Sequence, residues 1–150
     1  MTALKTLFGE VRTGRVKRLP LVLYITALHL SLLAFSIFVG VSAGLLEPAG
    51  SGDIEAAQQA LSDWLGPGSL LLTTVFFLTV TYVNFNLLAK RIRDIGLPGW
   101  TGLLGYVVVR GAISWLAGTV IGVLLDLVFI LVLALVPSDW VAGDSASPRD

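Results

Sequence analysis

Two stretches of this chain contain no Asp, Glu, Lys or Arg: residues 19–46 and residues 64–89. Each is longer than the roughly 20 residues a helix needs to cross the hydrocarbon of a bilayer. That feature removes most fold classes. Lipid offers no partner to a backbone N–H or C=O, so an apolar run of this length is stable as a helix and not as an open sheet or an irregular loop. Composition agrees: 55% of the residues are hydrophobic and 13% are charged, where ordinary globular proteins carry about 25% charged residues. The first run far exceeds the apolar core of a signal peptide, which is about 7–15 residues, so it is expected to be retained as a span.

A third apolar run, residues 101–136, is interrupted only by Arg110 and Asp126. As one straight helix it would be about 54 Å long, too long for a single crossing. Two arrangements resolve this. One is a hairpin of two short spans turning near Ala117-Gly118-Thr119. The other is an interfacial or re-entrant piece over residues 101–109 followed by one span. The hairpin is favoured because Arg110 and Asp126 lie at equal sequence distance from Gly118. On adjacent antiparallel helices they would share one depth and neutralise each other, as intramembrane charges usually do.

The charged residues lie between these runs and orient them. Ten cations balance ten anions overall, so the signal is in their placement. Lys5, Arg12, Arg15, Lys17 and Arg18 precede the first span. Glu47, Asp53, Glu55 and Asp63 fall between the first two spans, with no cation among them. Lys90, Arg91 and Arg93 follow the second span. Positive residues mark the cytoplasmic side. The N-terminus and the 90–100 turn are therefore expected inside, and the acidic loop outside. A hairpin returns the C-terminus to the cytoplasm; the three-span alternative leaves it outside. The segment after residue 137 is small and polar, and is expected to be a disordered tail.

Two segments outside the spans carry helical patterns. Leu4, Leu7, Phe8 and Val11 recur at helical spacing. This is either a short interfacial helix on anionic lipid or a frayed, partly helical N-terminus, because helices this short are marginal alone. In the acidic loop, Asp53 is placed to cap a helix whose apolar stripe is Ile54, Ala57, Leu61 and Leu65. A surface connector is the expected role, in preference to a lid over an entrance.

His29, Arg110 and Asp126 are the ionisable groups inside the spans, each roughly 13–15 Å deep on the hairpin reading. A proton or ion relay is the sharper reading, since such groups are functional candidates and histidine can change charge near neutral pH. A structural Arg110–Asp126 pair that fixes register, beside a neutral His29, is the plainer one and is preferred. Recognisable catalytic sequence is missing. There is no phosphate-binding glycine loop, no H-E-x-x-H and no dinucleotide fingerprint. There is no cysteine and one histidine, which removes thiol chemistry and multi-histidine metal sites. No cofactor is expected, and the protein is expected not to be an enzyme.

The stretch "AKRIRDIGLPGW", residues 89–100, resembles the signature of the domain-of-unknown-function 805 family of small bacterial inner-membrane proteins. Arg91, Asp94, Gly96, Gly99 and Trp100 match that signature. Arg93 stands where the family usually has histidine, and Pro98 where it often has serine. "TGRVKRL" matches the family's Gly-Arg-x-x-Arg motif with Gly14, Arg15 and Arg18, while "VPSDWVAG" departs from the family's closing motifs. The resemblance runs from about Gly14 to Val136. It implies a multi-pass inner-membrane protein and no biochemical activity. The acid among these cations, Asp94, lies within helical pairing distance of Lys90 and Arg91. It is also expected to pair with Arg15 or Arg18, clamping the N-terminus to the 90–100 turn.

The expected fold is all-α: a multi-pass transmembrane helical bundle of four spans, the alternative being three spans plus an interfacial or re-entrant segment. Residues 1–18 form a cytoplasmic N-terminal segment. Residues 19–137 form one membrane domain with spans near 20–46, 68–89, 101–117 and 120–136. Residues 138–150 form the polar tail. The expected role is a non-enzymatic envelope scaffold, accessory or lipid-interacting component that presents Arg15, Arg18, Arg91 and Arg93 to headgroups. The alternative is a small transporter or proton- or ion-conducting protein using His29, Arg110 and Asp126. The expected partners are the bilayer, with anionic headgroups at the inner leaflet, and a second copy or another membrane protein; nucleic acid is not expected.

Overall fold

The computed structural model describes residues 3–141. Among them the chain is all-helical: α1 (Ala3–Phe8), α2 (Arg18–Ser42), α3 (Leu46–Ser51), α4 (Ile54–Trp64), α5 (Pro67–Ile95), α6 (Gly99–Ala117) and α7 (Thr119–Leu135). Three of these, α2, α5 and α6, are long and apolar enough to cross a membrane, and α7 is an apolar helix of 17 residues. At 1.5 Å per residue α7 is about 25 Å long, at the short end of what can span. The all-α, multi-pass fold expected from the hydropathy is the fold of the chain. The last nine residues of the polar tail, 142–150, lie outside the described residues.

Two compact units divide the chain. One runs from Ile25 to Tyr82; the other joins the chain up to Tyr24 with the chain from Val83 onward. In the 25–82 unit, α2 meets α5 through a phenylalanine cluster. Phe35 stacks on Phe76 with centroids 4.0 Å apart, and Phe77 meets both edge-on. Offset-stacked and edge-to-face contacts of this kind add about 0.5–1.5 kcal/mol beyond area burial. The first span ends at Ser42, short of the expected 46, because Gly44 takes a left-handed φ of 69° and the chain re-enters a separate short helix, α3. Asp53 caps α4 as expected, accepting from Ala56 N at 3.0 Å. His29 lies on α2, its Nδ1 2.8 Å from the Ile25 carbonyl one turn earlier.

In the other unit α6 and α7 form a hairpin on one residue. Gly118 is at once the C-cap of α6 and the N-cap of α7, with φ 91° and ψ 161°, a region open in practice only to glycine. Tyr106 stacks on Phe129 at 3.7 Å. Gly122 faces Ser114, and a β-carbon there would collide with the serine hydroxyl. Close approach of the two helices depends on that missing side chain. The core of this unit gathers at the far end of the hairpin from Gly118, where Leu21, Leu87, Ala89, Ile92, Leu103 and Leu133 are buried. The helix α1 ends at Phe8, before Val11, and Glu10 turns the chain with a left-handed φ of 53°. The apolar spacing expected to continue to Val11 is interrupted there.

Candidate functional site

The C-terminal turns of α5 carry the most unusual burial in the protein. Lys90 and Arg91 are fully enclosed at 0% exposure, as is Asn86, and Asp94 is 5% exposed. Enclosed charges persist only when paired and hydrogen-bonded. Here they bond to the backbone of segments remote in sequence.

Asn86 and Lys90 are four residues apart and so share a face of α5. That face receives the end of α1. Asn86 Nδ2 donates to Leu7 O at 2.8 Å, and Lys90 Nζ donates to Thr6 O and Gly9 O, both at 2.6 Å. A helix leaves its last four carbonyls without intrahelical donors. The six-residue α1 is also too short to stand alone. The neighbouring helix supplies its donors. Trp100 Nε1 extends the contact to Val11 O at 2.9 Å. Gly14 lies so close that a β-carbon there would sit 2.9 Å from Lys90 Cε and 2.8 Å from Glu10 O.

Arg91 and Asp94 do the same for the end of α7. Arg91 Nε donates to Leu133 O at 2.8 Å and Nη2 to Val136 O at 2.5 Å, while Nη1 pairs with Asp94. Ser138 Oγ donates to Asp94 Oδ2 at 2.7 Å. Beyond α7 the backbone continues the attachment: Asp139 N bonds Asp94 O at 2.6 Å and Val141 N bonds Ile95 O at 3.0 Å. Arg15 then reaches Asp139 Oδ1 at 2.6 Å in an exposed ion pair. The end of α5 therefore fastens both the segment before α2 and the segment after α7.

The expected partner of Asp94 was Arg15 or Arg18, and this is corrected: Asp94 pairs with Arg91, three residues earlier on its own helix, and with Ser138. The physical reason is proximity within one turn, together with Asp139, which takes Arg15 instead. The two arginine motifs do meet in one unit, through the residues that follow α7. Gly96 ends α5 as a C′ residue with φ 103°; its N–H bonds Arg93 O at 3.0 Å and Leu97 N bonds Ile92 O at 3.1 Å, the Schellman pattern. Gly99 faces Ala89 O and the Arg93 stem, with no room for a side chain. Arg18 is exposed at the first residue of α2. Arg91 is enclosed and cannot meet a headgroup. Arg93 is partly buried, and its Nε and Nη2 have no hydrogen-bond partner among the described residues.

Of the intramembrane candidates, the structure brings Arg110 and Asp126 together across the hairpin. Arg110 Nη2 lies 2.9 Å from Asp126 Oδ2, and Tyr106 OH donates to Oδ1 at 2.5 Å. The pair is 41% and 37% exposed. His29 belongs to the other unit and bonds its own helix. Tyr106 is the member that sequence reasoning missed, although its i, i+4 spacing to Arg110 was a usable signal. Also missed were the roles of Asn86, Lys90, Ser138 and Asp139. The one hint was a run of polar groups, Asn86, Lys90, Arg91 and Asp94, on two faces of one helix end. Among the described residues no group of three or more His, Cys, Asp or Glu side chains could hold a metal ion.

Apolar helices joined at a charged end whose side chains hold backbone define a multi-pass helical membrane protein. The family model described as "Protein of unknown function (DUF805)" matches residues 11–141. The chain belongs to that family. The match begins at the residue whose carbonyl Trp100 holds and ends at the residue whose N–H bonds Ile95 O. No curated protein and no solved structure matches the chain.

Proposed function

We propose that this protein is a non-enzymatic component of the bacterial inner membrane, a scaffold, accessory or lipid-interacting subunit with both chain ends in the cytoplasm. The observation that carries this reading is the use made of the motif charges. Lys90, Arg91 and Asp94 are enclosed and aimed at backbone carbonyls, at each other and at Ser138. They build the fold at this end. Around them Arg12, Lys17 and Arg18 are exposed, and each such cation near an anionic leaflet contributes about 1 kcal/mol of attraction. The orientation is supported by the positive-inside pattern. The Arg15–Asp139 pair supports placing both ends on one side.

The chain contains no cysteine, so single-cysteine labelling tests the topology directly. With a membrane-impermeant maleimide on spheroplasts, Ser62→Cys is expected to label while Thr13→Cys and Trp140→Cys stay protected until lysis. Labelling of Trp140→Cys from outside sinks the four-span topology. A second reading, proton or ion conduction, is favoured by the half-exposed Arg110–Asp126–Tyr106 cluster. Purified protein in liposomes decides between them. Flux abolished by Asp126→Asn supports conduction; no flux under any imposed gradient supports the scaffold reading.

A further inference from the structure

The α6–α7 hairpin keeps a charged pair in apolar surroundings. Arg110 and Asp126 each stand eight residues from Gly118, about 12 Å along the helix axis. That is close to the middle of both helices. Around the pair the outer surface is hydrocarbon: Val107, Val108 and Val109 are exposed on α6, and Val123, Leu124 and Leu127 on α7. Yet the pair itself is 41% and 37% exposed. Ionisable groups within a membrane face a bundle interior or a water-filled cavity, not lipid tails. This face therefore calls for a polar cover.

The hydrogen bonding of the pair is also incomplete. Arg110 directs Nε and Nη2 at Asp126, at 3.2 and 2.9 Å. Its Nη1 carries two further N–H donors and has no hydrogen-bond partner among the described residues. The acid is better provided for. Tyr106 OH donates to Oδ1 at 2.5 Å, and the tyrosine ring is stacked on Phe129. The carboxylate is fixed while the guanidinium still has donors to give.

The charge pattern of this face is complementary to itself. The hairpin sets a cation and an anion side by side at one depth. A two-fold axis along the membrane normal preserves depth and topology and exchanges left for right. A second copy related by that axis brings its own Asp126 to Arg110 and its own Arg110 to Asp126. The four charges then alternate in sign, and Nη1 gains an acceptor. A phospholipid headgroup fits less well. It would have to leave the interface to reach this depth, and its phosphate would repel Asp126.

We propose that the face of the α6–α7 hairpin bearing Arg110 and Asp126 is the interface for a second copy of this chain, closed by reciprocal Arg110–Asp126 pairs. This rests on the hairpin crossing the membrane, which the maleimide labelling above tests separately.

Energy transfer between donor- and acceptor-labelled copies of the full chain, joined to dye at Ser62→Cys in phosphatidylcholine vesicles, tests the interface. Wild type is expected to show transfer that unlabelled wild type competes away. Arg110→Asp alone and Asp126→Arg alone each place like charges face to face. Each change enters a two-fold assembly twice, so each is expected to weaken self-association by about tenfold or more. Mixing the two variants, one with donor and one with acceptor, pairs an all-acidic face with an all-basic one and is expected to restore transfer. A purely internal Arg110–Asp126 pair cannot be rescued in this way, because each chain keeps its like charges. The double reversal, Arg110→Asp with Asp126→Arg, is expected to associate with itself as wild type does.

Thermal melts in detergent check that each variant is folded. Where a reversed single variant is not, Arg110→Gln and Asp126→Asn take its place, and both are expected to weaken transfer. Wild-type transfer no greater than between unrelated labelled membrane proteins overturns the proposal. So does transfer that survives every one of these substitutions, which would place the contact between copies on another face. Folded single variants that lose transfer and do not regain it on mixing overturn it as well.

Discussion

The Arg91–Asp94 and Arg110–Asp126 pairs contain the same two residue types and differ in nearly everything else. The first joins residues three apart on one helix and is 0% and 7% exposed; the second joins two helices across the Gly118 hairpin and is 41% and 37% exposed. At Arg91 the guanidinium also holds the carbonyls of Leu133 and Val136. At Arg110 the partner is the carboxylate of a single side chain, Asp126, to which Tyr106 also donates. What separates them is where the hydrogen bonds end. A charge that satisfies another segment's backbone decides where that segment goes. A charge that satisfies only another charge decides the register of elements already in place.

If that distinction is right, Arg91→Gln has the largest effect. It leaves Asp94 enclosed without its cation and frees two carbonyls, which is expected to destabilise the protein by about 3–5 kcal/mol in detergent unfolding. A loss below about 1 kcal/mol would break the comparison. Lys90→Met comes next, at about 1–3 kcal/mol for the carbonyls it abandons. Its signature is local: faster hydrogen exchange and proteolysis in residues 5–14, with α6 and α7 unchanged. Gly14→Ala forces a side chain against Lys90 Cε and is expected to cost about 1–3 kcal/mol by overpacking, read as a lowered Tm. Reversing the hairpin pair, Arg110→Asp with Asp126→Arg, is expected to change the Tm less than any of these. A collapse of the fold on reversal would place both pairs in one category. Arg15→Gln is the smallest: an exposed pair contributes less than about 1 kcal/mol, and high salt is expected to mask the difference from wild type.

Much of this was legible in residue spacing, because spacing is what local structure responds to. The charge-free runs specify helices. The equal distances of Arg110 and Asp126 from Gly118 specify the hairpin. Asp53 caps α4, Gly96 ends α5, and Asp94 lies within one turn of Arg91. The roles of Asn86 and Lys90 were not legible, because their acceptors are carbonyls 79 to 84 residues away. A backbone carbonyl has no side-chain identity, so nothing in the composition near Thr6 or Gly9 announces that a lysine will cap it. Ser138 and Asp139 were hidden for the same reason. Their small polar character resembles a solvated tail, and only the acceptors on α5 distinguish an attached segment from a free one. The enclosure of Arg91 could not be read either, because the positive-inside pattern places a cation on a side of the membrane and does not say whether it meets water.

The contact between Arg15 and Asp139 spans 124 positions of sequence. A ribosome delivers the first of these residues long before the second, and the acceptors Leu133 and Val136 for Arg91 also emerge late. The segment that precedes α2 can dock on Asn86 and Lys90 once α5 is made. The Arg91 side of that helix end has no carbonyls to hold until α7 has followed. The apolar helices can enter lipid one after another as they are synthesised, whereas the charged end is completed last. During that interval Arg91 is a cation still waiting for part of its hydrogen-bond shell.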